Sequence, residues 1–480
     1  MKTILTLSLL IACPSSGLRA DDLPDPVAVT AAMRKATDFY ISKLASHGGY
    51  ASSWKRDLSL AFAEGKESKT IISIQPPGTT TVGMAMLKAW QATGDEAFLT
   101  GAKGAAKALI ASQLESGGWP ADFDFDGDDP KKWWLRQEVL TGETEKGKQS
   151  NSSTLDDNKS QSALLFLLEL SHDPAGRDDE DLKNAVAYAF DHILAAQTKI
   201  GSWPQQFSDA APADGIVKKA VIPAEWPRVF PKQKYTDFHT LNDGNLQKIV
   251  GLLVRAHQLT GEARYLAAAK RCGDFLLLAQ FEGEQPVWAQ QYNQEMIPVW
   301  ARKFEPPAMS SLESLGACLT LFEIWLATGD EKYRATLPQA LAWLEAAKLP
   351  NGLWSRFYEF GTNKPLYCVA ETYELTYDDK NLPTHYGFQP EYGGDKIERL
   401  RTDLARPREE ILASRRDPES AERWAKAARN LRGKVNAALE TRNKDGIWTD
   451  DDEISADLFV KHLNAMSIYV RASNKATGKP

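Results

Sequence analysis

A repeated unit constrains this chain more than any other feature. Ala92-Thr93-Gly94-Asp95, Leu259-Thr260-Gly261-Glu262 and Ala327-Thr328-Gly329-Asp330 each set a glycine stop before an acidic helix start. About five turns of helical pattern follow each, ending at Gly118-Trp119-Pro120, Val287-Trp288 and Leu353-Trp354. A further unit runs from Asp181 to Ser202-Trp203-Pro204, and a weaker one ends at Asp445-Gly446-Ile447-Trp448. Trp119 and Trp203 lie 84 residues apart, and Trp203 and Trp288 lie 85 apart, which is room for two helices and two loops per unit. Apolar periodicity predicts helices near 27–45, 79–92, 95–114, 158–171, 180–198, 243–259, 262–280, 311–328, 331–348, 402–416, 419–441 and 455–473. Six pairs of this kind predict an all-α fold, an α/α toroid or incomplete barrel, with an open solenoid as the alternative arrangement. Segments 120–153, 204–240 and 365–400 carry no helical period and are expected to be long loops on one functional rim. Residues 21–480 read as one domain, with a frayed tail from Ser473.

Composition narrows the partners. With 57 Lys and Arg against 64 Asp and Glu in 480 residues, the chain has no basic field for nucleic acid or an anionic membrane, so a polyanionic substrate needs a local positive site. The fourteen Trp and fourteen Tyr supply rings that stack on sugar faces, although most are expected in the core. Lys2, the apolar run Ile4–Ala12 and Leu18-Arg19-Ala20 read as an export signal over residues 1–20, giving a periplasmic or secreted protein. Leu10-Ile11-Ala12-Cys13 offers the competing reading of a lipid anchor at Cys13. No other stretch has the ~18 to 20 apolar residues of a membrane span. Cys272, Cys318 and Cys368 are expected to be buried thiols, and a monomer is expected.

Three constellations carry possible chemistry. Ser153-Thr154-Leu155-Asp156-Asp157-Asn158 and His239-Thr240-Leu241-Asn242-Asp243-Gly244-Asn245 both precede an apolar helix, and Asp157 and Asp243 lie 86 residues apart, one repeat. Equivalent places in neighbouring repeats open on the same end of the array. Asp156, Asp157, Asn242 and Asp243 then form an oxygen-only set suited to a hard cation such as Ca²⁺. The competing reading makes each an N-cap. The second constellation, Trp300-Ala301-Arg302-Lys303-Phe304-Glu305-Pro306-Pro307, sets Arg302 and Lys303 on a stiffened loop, where a surface ion pair is the alternative. In the third, Arg356-Phe357-Tyr358-Glu359, the guanidinium either clamps a carboxylate bidentately or ties the loop to Glu359.

Taken in order, Gly118-Trp119-Pro120, Ser153-Thr154-Leu155-Asp156-Asp157, Asn242-Asp243, Ala301-Arg302-Lys303-Phe304-Glu305-Pro306-Pro307, Arg356-Phe357-Tyr358 and Thr362-Asn363-Lys364-Pro365 resemble the motif series of family 10 polysaccharide lyases. The resemblance covers most of 75–368. It implies an α/α-toroid pectate lyase that cleaves polygalacturonate by anti β-elimination with Ca²⁺. It further implies Asp156, Asp157 and Asp243 as metal ligands and Arg302 as the base that takes the C5 proton. Arg356, Lys364 and Lys303 would hold uronate carboxylates, and Trp119 and Trp203 are expected to stack on sugar. The chain departs from the family pattern at Cys368-Val369-Ala370-Glu371-Thr372, where Ala370 stands in the place of an arginine. Two other readings compete. A non-catalytic carbohydrate-binding protein would use Trp119, Trp203 and Trp354, and a glycoside hydrolase would draw its two carboxyls from Glu305, Glu313 and Asp156.

Overall fold

The structure is a computed structural model that describes residues 23–478 apart from 143–146, 212–215, 390, 392 and 451. Residues 1–22, which hold the expected export signal and Cys13, lie outside the described residues. The principal helices are α1 Pro26–Phe39, α2 Thr79–Thr93, α3 Glu96–Ala111, α4 Lys159–His172, α5 Glu180–Ala195, α6 Asn245–Thr260 and α7 Ala263–Ala279. They continue with α8 Ser311–Thr328, α9 Leu337–Ala346, α10 Gly394–Leu404, α11 Arg408–Ser414, α12 Ala421–Glu440 and α13 Ala456–Ala476.

The Thr-Gly-acid element works as a hinge between paired helices. Gly94, Gly261 and Gly329 adopt φ of 70°, 75° and 73°, and their N–H groups cap Trp90, His257 and Trp325 carbonyls. Asp95 then caps α3 by accepting from Ala97 N at 3.0 Å. Each pair places one helix inside. α13, α2, α4, α6 and α8 pack side by side in that order, with α12, α3, α5, α7 and α9 outside them. The inner position shows in the burial of α8, where polar Ser311, Glu313, Ser314 and Thr320 are buried along with Leu315, Leu321 and Ile324. Outer α3 instead buries one stripe, Phe98, Leu99, Ala102, Ala105, Ala106 and Leu109.

The fold is an α/α toroid with an incomplete sixth arc. Between α8 and α13 the ring is bridged by α11 and the turn after it: Arg408 donates to the Leu326 carbonyl at 2.6 Å, Arg415 pairs with Glu323 at 2.7 Å, and Arg471 pairs with Asp417 at 2.5 Å. The helix expected over 402–416 is broken at Pro407, which cannot donate a backbone hydrogen bond. Its first part begins at Gly394, inside the segment expected to be loop. The tail expected to fray from Ser473 stays helical to Ala476.

The tryptophans that close the units are structural bolts. Trp119, Trp203, Trp288, Trp354 and Trp448 are buried, and their indole N–H groups donate to the carbonyls of Leu109, Ile193, Leu276, Leu344 and Ala438 at 2.6–2.8 Å. Each ring thereby ties an outer helix to the segment that leaves it. This corrects the expectation that Trp119 and Trp203, or Trp354, stack on sugar, since none of these rings faces solvent. Short antiparallel ladders sit at one end of the toroid, before the inner helices: Ile71–Ser73 with Asp122–Asp124, Ser153–Thr154 with Gln206–Phe207, His239–Thr240 with Gln291–Tyr292, and Met309–Ser310 with Phe357–Tyr358. Cys272, Cys318 and Cys368 are buried and free, as expected. No helix among the described residues is long and apolar enough to cross a membrane.

Candidate active site

The two Asp turns meet where α4 and α6 begin. Asp156–Asn158 and Asn242–Gly244 are matching single turns, with Asp157 at φ 47° and Asp243 at φ 53°. Left-handed backbone is unfavourable for a residue with a side chain, and clusters at functional sites. Asn158 at φ 64° and Gly244 at φ 70° follow in the same conformation. Neither turn, and neither following helix, receives a side-chain cap, which removes the N-cap reading for these aspartates. Gln161 bridges the repeats, donating to the Leu155 carbonyl at 2.7 Å and to Asn245 Oδ1 at 2.9 Å.

One carboxylate oxygen from each of Asp156, Asp157 and Asp243 lies within 4.8 Å of the others. All three side chains are partly exposed. Burial, followed by the Asp156 charge, pushes the Asp157 carboxyl up to about 6. Clustered carboxylates on strained turns fit a hard divalent cation, which takes six to eight oxygens and would leave places for water and a substrate carboxylate.

The neighbours of the triad are specific. Arg356 is buried, and its Nη2 donates to Asn242 Oδ1 at 2.9 Å, Asp243 Oδ1 at 3.2 Å and Glu313 Oε1 at 3.1 Å. Its guanidinium lies 4.5 Å from the Tyr386 ring centroid. This corrects the expectation of an open clamp for substrate carboxylates: Arg356 is a buried tie that holds Asp243 against the start of α8. Lys364 is exposed, 5.3 Å from the Tyr377 ring, in the loop where Tyr377 donates to Glu359, and it touches neither Arg356 nor the triad among the described contacts. Lys303 is exposed and stands 3.7 Å from the Tyr373 ring. Ala370, at the departure from the family pattern, donates its N–H to the Asn381 carbonyl, and Asn381 donates to Glu371.

Arg302 is gripped by Glu305. Nε donates to Glu305 Oε2 at 2.8 Å, Nη2 to Oε1 at 2.5 Å, and the Arg302 backbone N–H to Oε2 at 3.0 Å. The expected surface pair is therefore a half-exposed guanidinium on a buried carboxylate. Burial works against the charge, but the Glu305 hydrogen bonds win and hold Arg302 above its ordinary range. Tyr386 joins this pair to Arg356: its hydroxyl donates to Glu305 Oε1 at 3.0 Å, and its ring lies 5.7 Å from the Arg302 guanidinium. Glu305 and Glu313, the two buried carboxyls offered to a hydrolase, are 1% and 2% exposed and are held by Arg302 and Arg356. Neither is free to protonate a glycosidic oxygen.

Four residues of the site went unread in the sequence. Tyr386 comes from the distant 365–400 segment and Glu64 from a hairpin outside the motif series. Lys159, three residues after Asp156, opens α4. Burial raises the Tyr235 hydroxyl above its ordinary range, opposed by the Arg302 charge and aided by those of Glu305 and Asp156. Its loop is pinned by Gln233, which donates to the Trp300 carbonyl at 2.7 Å, and by the Thr236 carbonyl, which accepts from Gln205 N at 3.1 Å. Beside Asp156 and Lys159 is a cavity of about 220 Å³ walled by Lys66, Trp133 and Gln206. It shares Ser152 and Gln206 with a larger one of about 690 Å³ that carries Lys199 and Lys234, so a cleft leads away from the triad.

Residues 124–351 match the family model of pectic acid lyase. No curated protein matches the chain. Among solved structures, the family 10 polysaccharide lyase from Cellvibrio cellulosa has 20% identity and a TM-score of 0.45, over 62% of this chain and 90% of that one. A mutant of the same lyase in complex with trigalacturonic acid has 19% identity and a TM-score of 0.45, over 68% and 99%. The GH76 α-mannanase from Bacteroides thetaiotaomicron has 10% identity and a TM-score of 0.45, over 94% and 96%. The matched segment holds the Asp triad and the Arg302–Glu305 pair; through residues 124–351 the chain is similar to pectic acid lyases, and it is an enzyme of the polysaccharide lyase class.

Proposed function

We propose that the enzyme is a calcium-assisted pectate lyase that cleaves α-1,4-linked polygalacturonate by anti β-elimination. The observation that carries this is the convergence of Asp156, Asp157 and Asp243, one repeat apart in sequence, into one oxygen cluster. These three would hold the ion. Calcium, when bound, would take the C6 carboxylate of the sugar and acidify its C5 proton.

The chain's own residues supply the rest. Arg302 takes the C5 proton as the C4–O4 bond breaks and the C4=C5 double bond forms, and water returns a proton to the leaving oxygen. A protonated guanidinium has no acceptor site, so Arg302 acts only after losing a proton, against the pull of Glu305. Glu305 fixes Nε and Nη2 and leaves Nη1 for the substrate side. Tyr386 and Arg356 hold the arginine pair and Asp243 in one network. The cleft that runs past Lys66 and Gln206 accepts the polymer, and the trigalacturonic acid complex of the Cellvibrio enzyme agrees with an acidic substrate. A non-catalytic sugar-binding role loses the stacking rings expected for it, since Trp119, Trp203 and Trp354 are buried. Residues 1–20 are proposed as an export signal, so that the enzyme meets its polymer outside the cytoplasm.

The test is the absorbance of unsaturated uronate released from polygalacturonate, with and without chelator. Chelator-sensitive release supports the reading, and absence of any unsaturated product refutes it.

A further inference from the structure

The cation site already contains a cation. Lys159 is 3% exposed, and its Nζ lies 3.6 Å from Asp156 Oδ2, 3.6 Å from Asp157 Oδ2 and 3.2 Å from Glu64 Oε2. An ammonium has three donors, and here three carboxylates surround it. Two of those are ligands a divalent ion would need. The third, Glu64, is exposed in the turn between strands Ala61–Ala63 and Lys66–Ser68, outside the segment that matches the pectic acid lyase family.

We propose that Lys159 and Glu64 set the calcium affinity of the triad: Lys159 competes for Asp156 and Asp157, and Glu64 is the alternative partner to which it is handed when the ion binds. The proposal rests on the calcium reading of the site. Its physical basis is that two positive charges sharing the same carboxylates repel at a few ångströms, in a partly buried place where water screens them poorly. A buried ammonium also needs a partner when its aspartates turn to metal, and Glu64, at 3.2 Å, is already in reach. The N-terminal hairpin thereby tunes a site built in the family segment.

Removing either partner shifts the balance in opposite directions. Lys159→Gln frees the aspartates and should tighten calcium binding by ~10- to 100-fold, while Glu64→Gln leaves Lys159 wholly on the aspartates and should weaken it by ~10-fold, the size of effect expected for one partly buried charge contact. The double variant should follow Lys159→Gln, because Glu64 acts only through Lys159. Lys159→Arg keeps the charge and should bind no tighter than wild type, which separates charge from packing. The measurement is isothermal titration of the chelator-stripped full chain with calcium chloride, with thermal melts of each variant to register folding. Wild-type binding that Lys159→Gln leaves unchanged or weaker, or a double variant that follows Glu64→Gln, overturns this proposal alone. No uptake by any variant, with or without oligogalacturonate, overturns the calcium reading with it.

Discussion

Arg356 decides between two accounts of the site. If it clamps substrate, Arg356→Met raises KM and leaves the fold alone. The structure expects the reverse. The guanidinium is the partner of Glu313, whose side chain is 0% exposed, and of Asp243. Removing it strands a buried carboxylate, and breaking one partner of a buried pair costs ~3–5 kcal/mol. With an unfolding entropy of roughly 2.1 cal/mol/K per residue over about 450 residues, 4 kcal/mol corresponds to a melting shift of about 4 °C. Denaturant titration reads the larger signal, with the midpoint lowered and the slope unchanged. The charge origin has a second signature. Burial already raises the Glu313 carboxyl, and losing Arg356 raises it further. A raised carboxyl costs stability once it ionises and recovers it on protonation, so the deficit of Arg356→Met should shrink as pH falls from 7 toward the acid range. Adding Glu313→Gln should return at least half of the loss at pH 7, since no uncompensated charge remains. A variant within about 1 kcal/mol of wild type but with raised KM refutes the buried-tie account and restores the clamp.

Further outcomes are expected. Arg302→Ala and Arg302→Lys should both lower kcat by ~10²- to 10⁴-fold with KM little changed, because the base is lost in each; loss confined to KM in steady-state assays would make Arg302 a binding group. Calcium at about 100 Kd should stabilise the protein by about 2.7 kcal/mol, and melts insensitive to calcium and chelator both with and without oligogalacturonate refute the metal site. The Asp157 pKa, raised from 3.8 to about 6, means that the metal-free protein loses this group's contribution to stability as pH rises from about 4 through 6. Calcium affinity should fall about tenfold per pH unit below about 6, as titration at several pH values would show. Trp203→Phe removes the donor to the Ile193 carbonyl and should cost ~1–3 kcal/mol in denaturant melts while kcat/KM at permissive temperature stays as in wild type.

What the sequence could and could not disclose follows from how far apart the interacting residues lie. Thr-Gly before an acidic residue is a local code: a left-handed stop and a hydroxyl need only their immediate neighbours, so the helix ends at Gly94, Gly261 and Gly329 are legible. The Asp157 and Asp243 match is legible for a different reason. A repeat converts a separation in sequence into a fixed vector in space, and equal offsets from two inner helices bring equal positions together. Where the repeat is broken, the reading fails. Tyr386 and α10 come from the irregular arc between α9 and α11, and Glu64 comes from a hairpin before the first family motif, so no period announces either. The tryptophans fail in another way. Gly-x-Trp is as regular as the Asp turns, yet composition does not say whether a ring faces a cleft or a helix, and only the indole bonds to Leu109 and Ile193 show that regularity here serves packing. Arg356 shares that ambiguity, because a guanidinium that fits a sugar carboxylate fits Glu313 and Asp243 equally well. Regular spacing thus locates a cluster but leaves its occupant open: the same carboxylates that suit calcium already hold Lys159, a cation three residues along the chain.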